Sequence, residues 1–205
     1  MIRNVGVGLV AAALAGVAVG IATSYLQGIL PGAANTLANS GAVWSVVAFA
    51  ISIATLGASR AAVIAGEVAL LGEVVGYYAI ATPLRGYTAS TSELVLWTAA
   101  ALVIGPVVGL AAVWWAGGDR WRQLAAAVAM CGIVVGEGLH GIVRIERGGV
   151  QWWTEVVIGG SLATIAIVRY GQSTKQRAAG AGAALLVAGV IFVLYGFDRY
   201  WALLW

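Results

Sequence analysis

The residues with most chemical potential in this chain are acids set inside apolar runs. One run reads Gly66-Glu67-Val68-Ala69-Leu70-Leu71-Gly72-Glu73-Val74-Val75-Gly76-Tyr77-Tyr78, and a second reads Gly132-Ile133-Val134-Val135-Gly136-Glu137-Gly138-Leu139-His140. An ionisable group at the centre of a membrane helix costs about 2.5–3.5 kcal/mol, so each is a candidate functional residue. On a helix, six residues place Glu67 about 120° around from Glu73. Tyr77 lies one turn beyond Glu73 on the same face, within reach to donate a phenolic hydrogen bond. Glu137, His140 and Arg144 are spaced three and four apart and form a single stripe. The chemistry that fits is capture of a cationic or hydrogen-bonding solute, or proton exchange, in a low-dielectric site.

Other chemistries find no residues to carry them. His140 is the only histidine, which excludes bis-histidine haem and histidine-rich zinc sites. The only lysine, Lys175, lies in a predicted loop and not in a span, where a retinal Schiff base would need it. No Ser–His–Asp spacing and no glycine-rich phosphate loop occurs, so an enzyme is unsupported and no cofactor or metal is expected. The single cysteine, Cys131, permits no intramolecular disulfide and reads as a small packing residue.

The elements that must position these residues follow from composition. The 205 residues are 61% hydrophobic and only 9% charged, where a soluble domain carries about a quarter charged residues. The expectation is an all-α, polytopic transmembrane helix bundle forming one domain over residues 1–205. A net charge of +3 without a clustered basic face argues against nucleic acid as a partner. Seven segments have the length needed to cross about 30 Å of hydrocarbon: 5–28, 41–59, 61–82, 93–116, 122–143, 153–170 and 178–197. The second is the shortest and the sixth opens on Glu155, so a six-span reading stays open. The first run is longer than the apolar core of a signal peptide and is read as an uncleaved first helix.

Basic residues orient the bundle. Arg3, Arg60, Arg120, Arg122, Arg169, Lys175 and Arg177 fall on one side, and Arg85, Arg144, Arg147 and Arg199 on the other. The excess places the N-terminus inside. From Arg60 and Arg122, Glu73 and Glu137 both lie roughly 20 Å along their helices, at one level. Tryptophans 44, 97, 152, 153, 201 and 205 fall near the outer boundary and 114, 115 and 121 near the inner one, as an interfacial belt would. In the first outer loop, Pro31-Gly32 breaks the helix and Asn35 and Asn39 stand four apart. That loop is either a re-entrant or partly helical turn, buried in protein or lining water, or a connection capped by Asn39 or Ser40. Glycine pairs four apart (Gly16/Gly20, Gly72/Gly76, Gly105/Gly109, Gly132/Gly136) predict close helix packing beside the acids. The order Arg60, Gly72-Glu73, Arg85-Gly86, Glu93 is echoed by Arg122, Gly136-Glu137, Arg147-Gly148, Glu155, which suggests a weak internal repeat.

Leu30-Pro31-Gly32, Leu37-Ala38-Asn39-Ser40, Trp44 and Gly136-Glu137-Gly138-Leu139 resemble an uncharacterised bacterial family of small multi-span integral membrane proteins. The resemblance implies a bacterial cytoplasmic membrane and carries no activity with it. In size the chain also looks like the substrate-binding membrane subunits of energy-coupling-factor transporters. That likeness would give Ala11 and Ala15, or Ala18 and Ala22, a role in docking a partner subunit. The expected function is a small transporter or substrate-binding membrane subunit. Its site would be a polar cavity among spans one, three and five lined by Glu73, Glu137, Tyr77 and His140, with Glu67 on an inner path and Arg144 and Asn39 at the outer end. The alternative is a structural subunit of a larger assembly, or a homo-oligomer, whose acids only satisfy buried partners.

Overall fold

Helices that are apolar all round cannot be sorted into a lipid face and a core face by hydrophobicity; in this chain side-chain size does the sorting. The first helix, α1 (Val5–Ile29), buries Gly8, Ala12, Gly16, Gly20, Thr23 and Ser24, while Val7, Val10, Leu14 and Ile21 point outward. Small residues on one face let backbones approach closely, which is the main packing device where lipid already satisfies apolar groups. The computed structural model describes residues 4–38, 40–145 and 149–196, with Ala33 described by its backbone alone.

After α1 come α2 (Gly32–Ala38), α3 (Gly41–Thr55), α4 (Ala62–Arg85), α5 (Thr91–Ala116), α6 (Arg120–Arg144), α7 (Gly149–Tyr170) and α8 (Thr174–Tyr195). No strand occurs among the described residues. Six helices, α1 and α4 to α8, are long and apolar enough to cross a bilayer. The chain is an integral membrane protein with an all-α fold. The remaining predicted span, 41–59, is helical only over the 15 residues of α3, about 22 Å against the roughly 30 Å of hydrocarbon. Gly57 ends it early: at φ 55° it is left-handed, and its N–H closes on the Ser52 and Ile53 carbonyls.

Side-chain caps start the helices where the sequence offers Ser, Asn or Asp. Asn4, Ser40, Ser90, Asp119 and Ser173 cap α1, α3, α5, α6 and α8, and Ser90 with Glu93 makes a full capping box. The first loop is partly helical, as α2, and Ser40 caps the connection to α3 by accepting from the Val43 N–H at 3.1 Å.

The chain forms two compact units, Met1–Gly117 and Gly118–Trp205. In the first, α4 is the central helix. Gly16 and Gly20 of α1 lie against the backbone of Ala69 and Glu73, and Gly72 and Gly76 answer against Ala13 and Val17, so α1 runs parallel to α4. On another side Gly66 meets Gly105 and Gly109 of the antiparallel α5. In the second unit α6 has the same surroundings: a parallel neighbour, α8, against Gly132 and Gly136, and an antiparallel one, α7, against Gly138 and Gly141. Each unit thus holds a glutamate-bearing helix between one parallel and one antiparallel partner. The sequence echo has this counterpart, although Arg147 and Gly148 lie outside the described residues.

The tryptophan belt needs correction. Trp153 and Trp121 are exposed, as belt residues should be, but Trp44 and Trp152 are buried. Trp44 packs on Tyr77 and Trp97, and Trp152 fills the space left by Gly141, so both are drawn into helix contacts by aromatic stacking and a missing side chain. Trp201 and Trp205 lie outside the described residues.

Candidate functional site

Glu73 is fixed by its backbone before its side chain matters. Gly20 of α1 leaves no space for a Cβ against the Glu73 carbonyl oxygen and the Tyr77 N–H, so this turn of α4 is held main chain to main chain. The carboxyl that results is 0% exposed, and among the described residues neither of its oxygens has a hydrogen-bond partner. The short helix α3 runs antiparallel alongside: Trp44 stacks on Tyr77 at 5.5 Å, while Leu56 packs with Ala62 and Ala65. One turn into α3 from Trp44 the buried residue is Ala48, which offers no donor at that level. Ser24, one turn along α1 from Gly20, is also fully buried with its hydroxyl unbonded among the described residues. An ionised carboxylate without donors in a dry interior costs several kcal/mol.

Above Glu73 the unit closes in a triangle of polar side chains. Tyr77 donates its phenolic hydrogen to Gln27 Oε1. Arg85 donates from Nη1 to the same Gln27 oxygen at 2.6 Å and from Nη2 to the Tyr77 hydroxyl at 2.9 Å. The Arg85 guanidinium lies over the rings of Tyr77 and Tyr87, at 5.0 and 5.6 Å. Asn35 of α2 donates to the carbonyls of Gln27 and Leu30, finishing the end of α1. The hydrogen bond that Tyr87 donates to Glu93, with some burial and the Glu93 charge, pushes the Tyr87 phenol up to about 12. Tyr87 therefore stays neutral beside Arg85.

The expected hydrogen bond from Tyr77 to Glu73 is not made. Gln27 and the charged Arg85 take both capacities of the phenol, and a charge-assisted bond is the stronger competitor.

The second unit has its own polar group. Tyr195, the last residue of α8, donates to Glu137 Oε2 at 3.1 Å. The His140 ring packs edge-on to Phe192 and beside Tyr195, with centroids at 6.0 and 5.6 Å. Arg144 is exposed, its guanidinium over the Phe192 ring at 5.9 Å. The whole Glu137, His140, Arg144 stripe thus meets the end of α8. Glu155 of α7 is buried where Gly138 lets α7 approach, and Gln151, one turn earlier, is 2% exposed with neither amide atom bonded among the described residues. Among the described residues no group of three or more His, Cys, Asp or Glu is placed to hold a metal ion.

A family model covers residues 2–200 of the chain, nearly its whole length. The chain belongs to the family of unknown function DUF6518. No curated protein and no solved structure matches it. Membership of DUF6518 carries no activity, so the reading of the site rests on the geometry.

The structure joins Tyr77 to residues that spacing did not single out, Gln27 and Arg85, and joins Glu137 and His140 to Tyr195. Glu67 is half-buried where α4 meets Gly105 of α5, on a different side of α4 from the Gly20 contact. Asn39 lies outside the described residues. Glu155 and Gln151 were absent from the expected set. Their signal was available, as two polar residues one turn apart at the head of an apolar helix.

Proposed function

We propose that the protein is a small membrane transporter, or the substrate-binding membrane subunit of one, with an intramembrane acidic site centred on Glu73. The site takes a proton or a small cation. One observation carries the reading: a wholly buried carboxyl with no hydrogen-bond partner among the described residues, locked in place by backbone contacts that keep it from relaxing toward a donor. Intramembrane acids that face protein and lack a structural partner are the usual relays for protons and cations. Glu137 in the second unit is a second buried acid, held by the hydroxyl of Tyr195. The surrounding membrane is the bacterial cytoplasmic membrane, with the N-terminus inside, and a partner subunit or a second copy completes the assembly.

A structural role competes, and one observation favours it: Glu137 already has a donor in Tyr195. Proteoliposomes loaded with a pH-reporting dye separate the two readings. An imposed potential drives proton entry through the wild-type chain, and E73Q reduces it to the rate of empty liposomes. Equal rates for wild type and a folded E73Q would leave the structural reading standing.

A further inference from the structure

Among the described residues Arg85 carries a positive charge with no ion-pair partner. Its hydrogen bonds go to two neutral acceptors, Gln27 and the Tyr77 hydroxyl, and its buried Nε has no acceptor among the described residues. It is not spent on capping α4. Gly86, left-handed at φ 63°, closes that end with its own N–H on Thr82 O at 2.9 Å, followed by Tyr87 N–H on Ala81 O at 3.3 Å. Nor does it bond the backbone at the end of α1, where Asn35 donates to the Gln27 and Leu30 carbonyls. The parallel helices α1 and α4 end side by side, since Gly28 lies where an added Cβ would stand 3.3 Å from Arg85 Cδ. Between those ends is an open recess of about 320 Å³ lined by Tyr25, Gly28, Ile29, Leu84 and Arg85. Tyr25, Ile29 and Leu84 are all more than half exposed. In a membrane-spanning pair these are lipid-facing walls, and the last residues of the spans stand at headgroup depth.

We propose that this recess binds an anionic phospholipid, its phosphodiester on the Arg85 guanidinium and an acyl chain along Tyr25, Ile29 and Leu84. The fork of a guanidinium matches phosphate oxygens, and basic recesses between membrane helices hold anionic headgroups in this way. A net negative lipid neutralises the site, whereas a zwitterionic one brings its own cation and does not. Gly28 keeps this contact close, because a side chain there would press on the Arg85 stem.

The test uses the detergent-purified full chain, with melting followed by tryptophan fluorescence during titration with phosphatidylglycerol, phosphatidylcholine or inorganic phosphate. Phosphatidylglycerol raises the melting temperature of the wild type at concentrations about tenfold lower than phosphatidylcholine does, and inorganic phosphate does not raise it. L84W fills the recess and leaves the Gln27–Tyr77–Arg85 triangle intact; it weakens the phosphatidylglycerol effect by about tenfold, as does R85Q if folded. Equal responses to the two lipids, an unchanged response in L84W, or a matching response to inorganic phosphate would overturn the proposal.

Discussion

Gly20 of α1 lies directly against the carbonyl oxygen of Glu73, and the contact exists only because Gly20 has no side chain. It places the most buried acid among the described residues at the tightest crossing of the first unit, so the acid's position and the unit's stability depend on the same turn of helix.

Gly20→Val should therefore separate α1 from α4. Overpacking a closed interface costs about 1–3 kcal/mol and sometimes more, and this clash is with backbone, which cannot rotate away. Gly182→Val is the control, because nothing stands within 4 Å of a Cβ there. Thermal melting in detergent should show a large drop for the first and little change for the second, apart from the helix-propensity effect both share.

Glu73→Leu should raise stability while abolishing proton flux. A buried polar group without a partner carries about 1–3 kcal/mol of desolvation penalty, which an apolar side chain removes. A melting temperature above wild type, together with loss of flux in proteoliposomes, is the expected pair of results. A destabilised Glu73→Leu would mean that the carboxyl has a structural partner.

Tyr195→Phe removes the donor to Glu137 and keeps the ring beside His140. A hydrogen bond to an acid in the interior contributes about 1–3 kcal/mol, so the second unit should melt earlier. Tyr25→Phe, at a half-exposed ring, should leave the melt unchanged in lipid-free detergent.

Gln27→Leu removes the shared acceptor of Tyr77 and Arg85. Arg85 then keeps a single neutral acceptor, and a hydrogen bond to a charged group contributes about 1.5–3 kcal/mol. The expected result is a lower melting temperature that anionic lipid restores in part, measured in the same fluorescence assay.

The helical, membrane-spanning architecture was legible in the sequence because apolar length alone specifies it. The glycine pairs at Gly72/Gly76 and Gly132/Gly136 correctly marked close crossings, since spacing four apart defines a face without reference to the partner. Which partner each glycine meets was not legible: α1 runs parallel to α4, and α8 to α6, and no local residue encodes a neighbour from a distant part of the chain. The Tyr77 bond was misassigned for the same reason. Its true acceptor, Gln27, is on another helix, and an acid one turn away on its own helix was the only candidate visible in sequence. Span two failed at Gly57, whose left-handed turn reads in sequence as one more small residue in an apolar run.

The backbone contacts at Gly16, Gly20, Gly66, Gly105 and Gly109 also reverse the usual map of mutational tolerance. In a soluble core the large apolar residues resist change and the small ones are expendable. In the first unit many large residues, such as Val7, Leu14 and Val103, face outward and can exchange with one another freely. The glycines at these crossings have no room for any side chain. A substitution scan of this unit should therefore rank positions by added volume, with hydrophobicity deciding little.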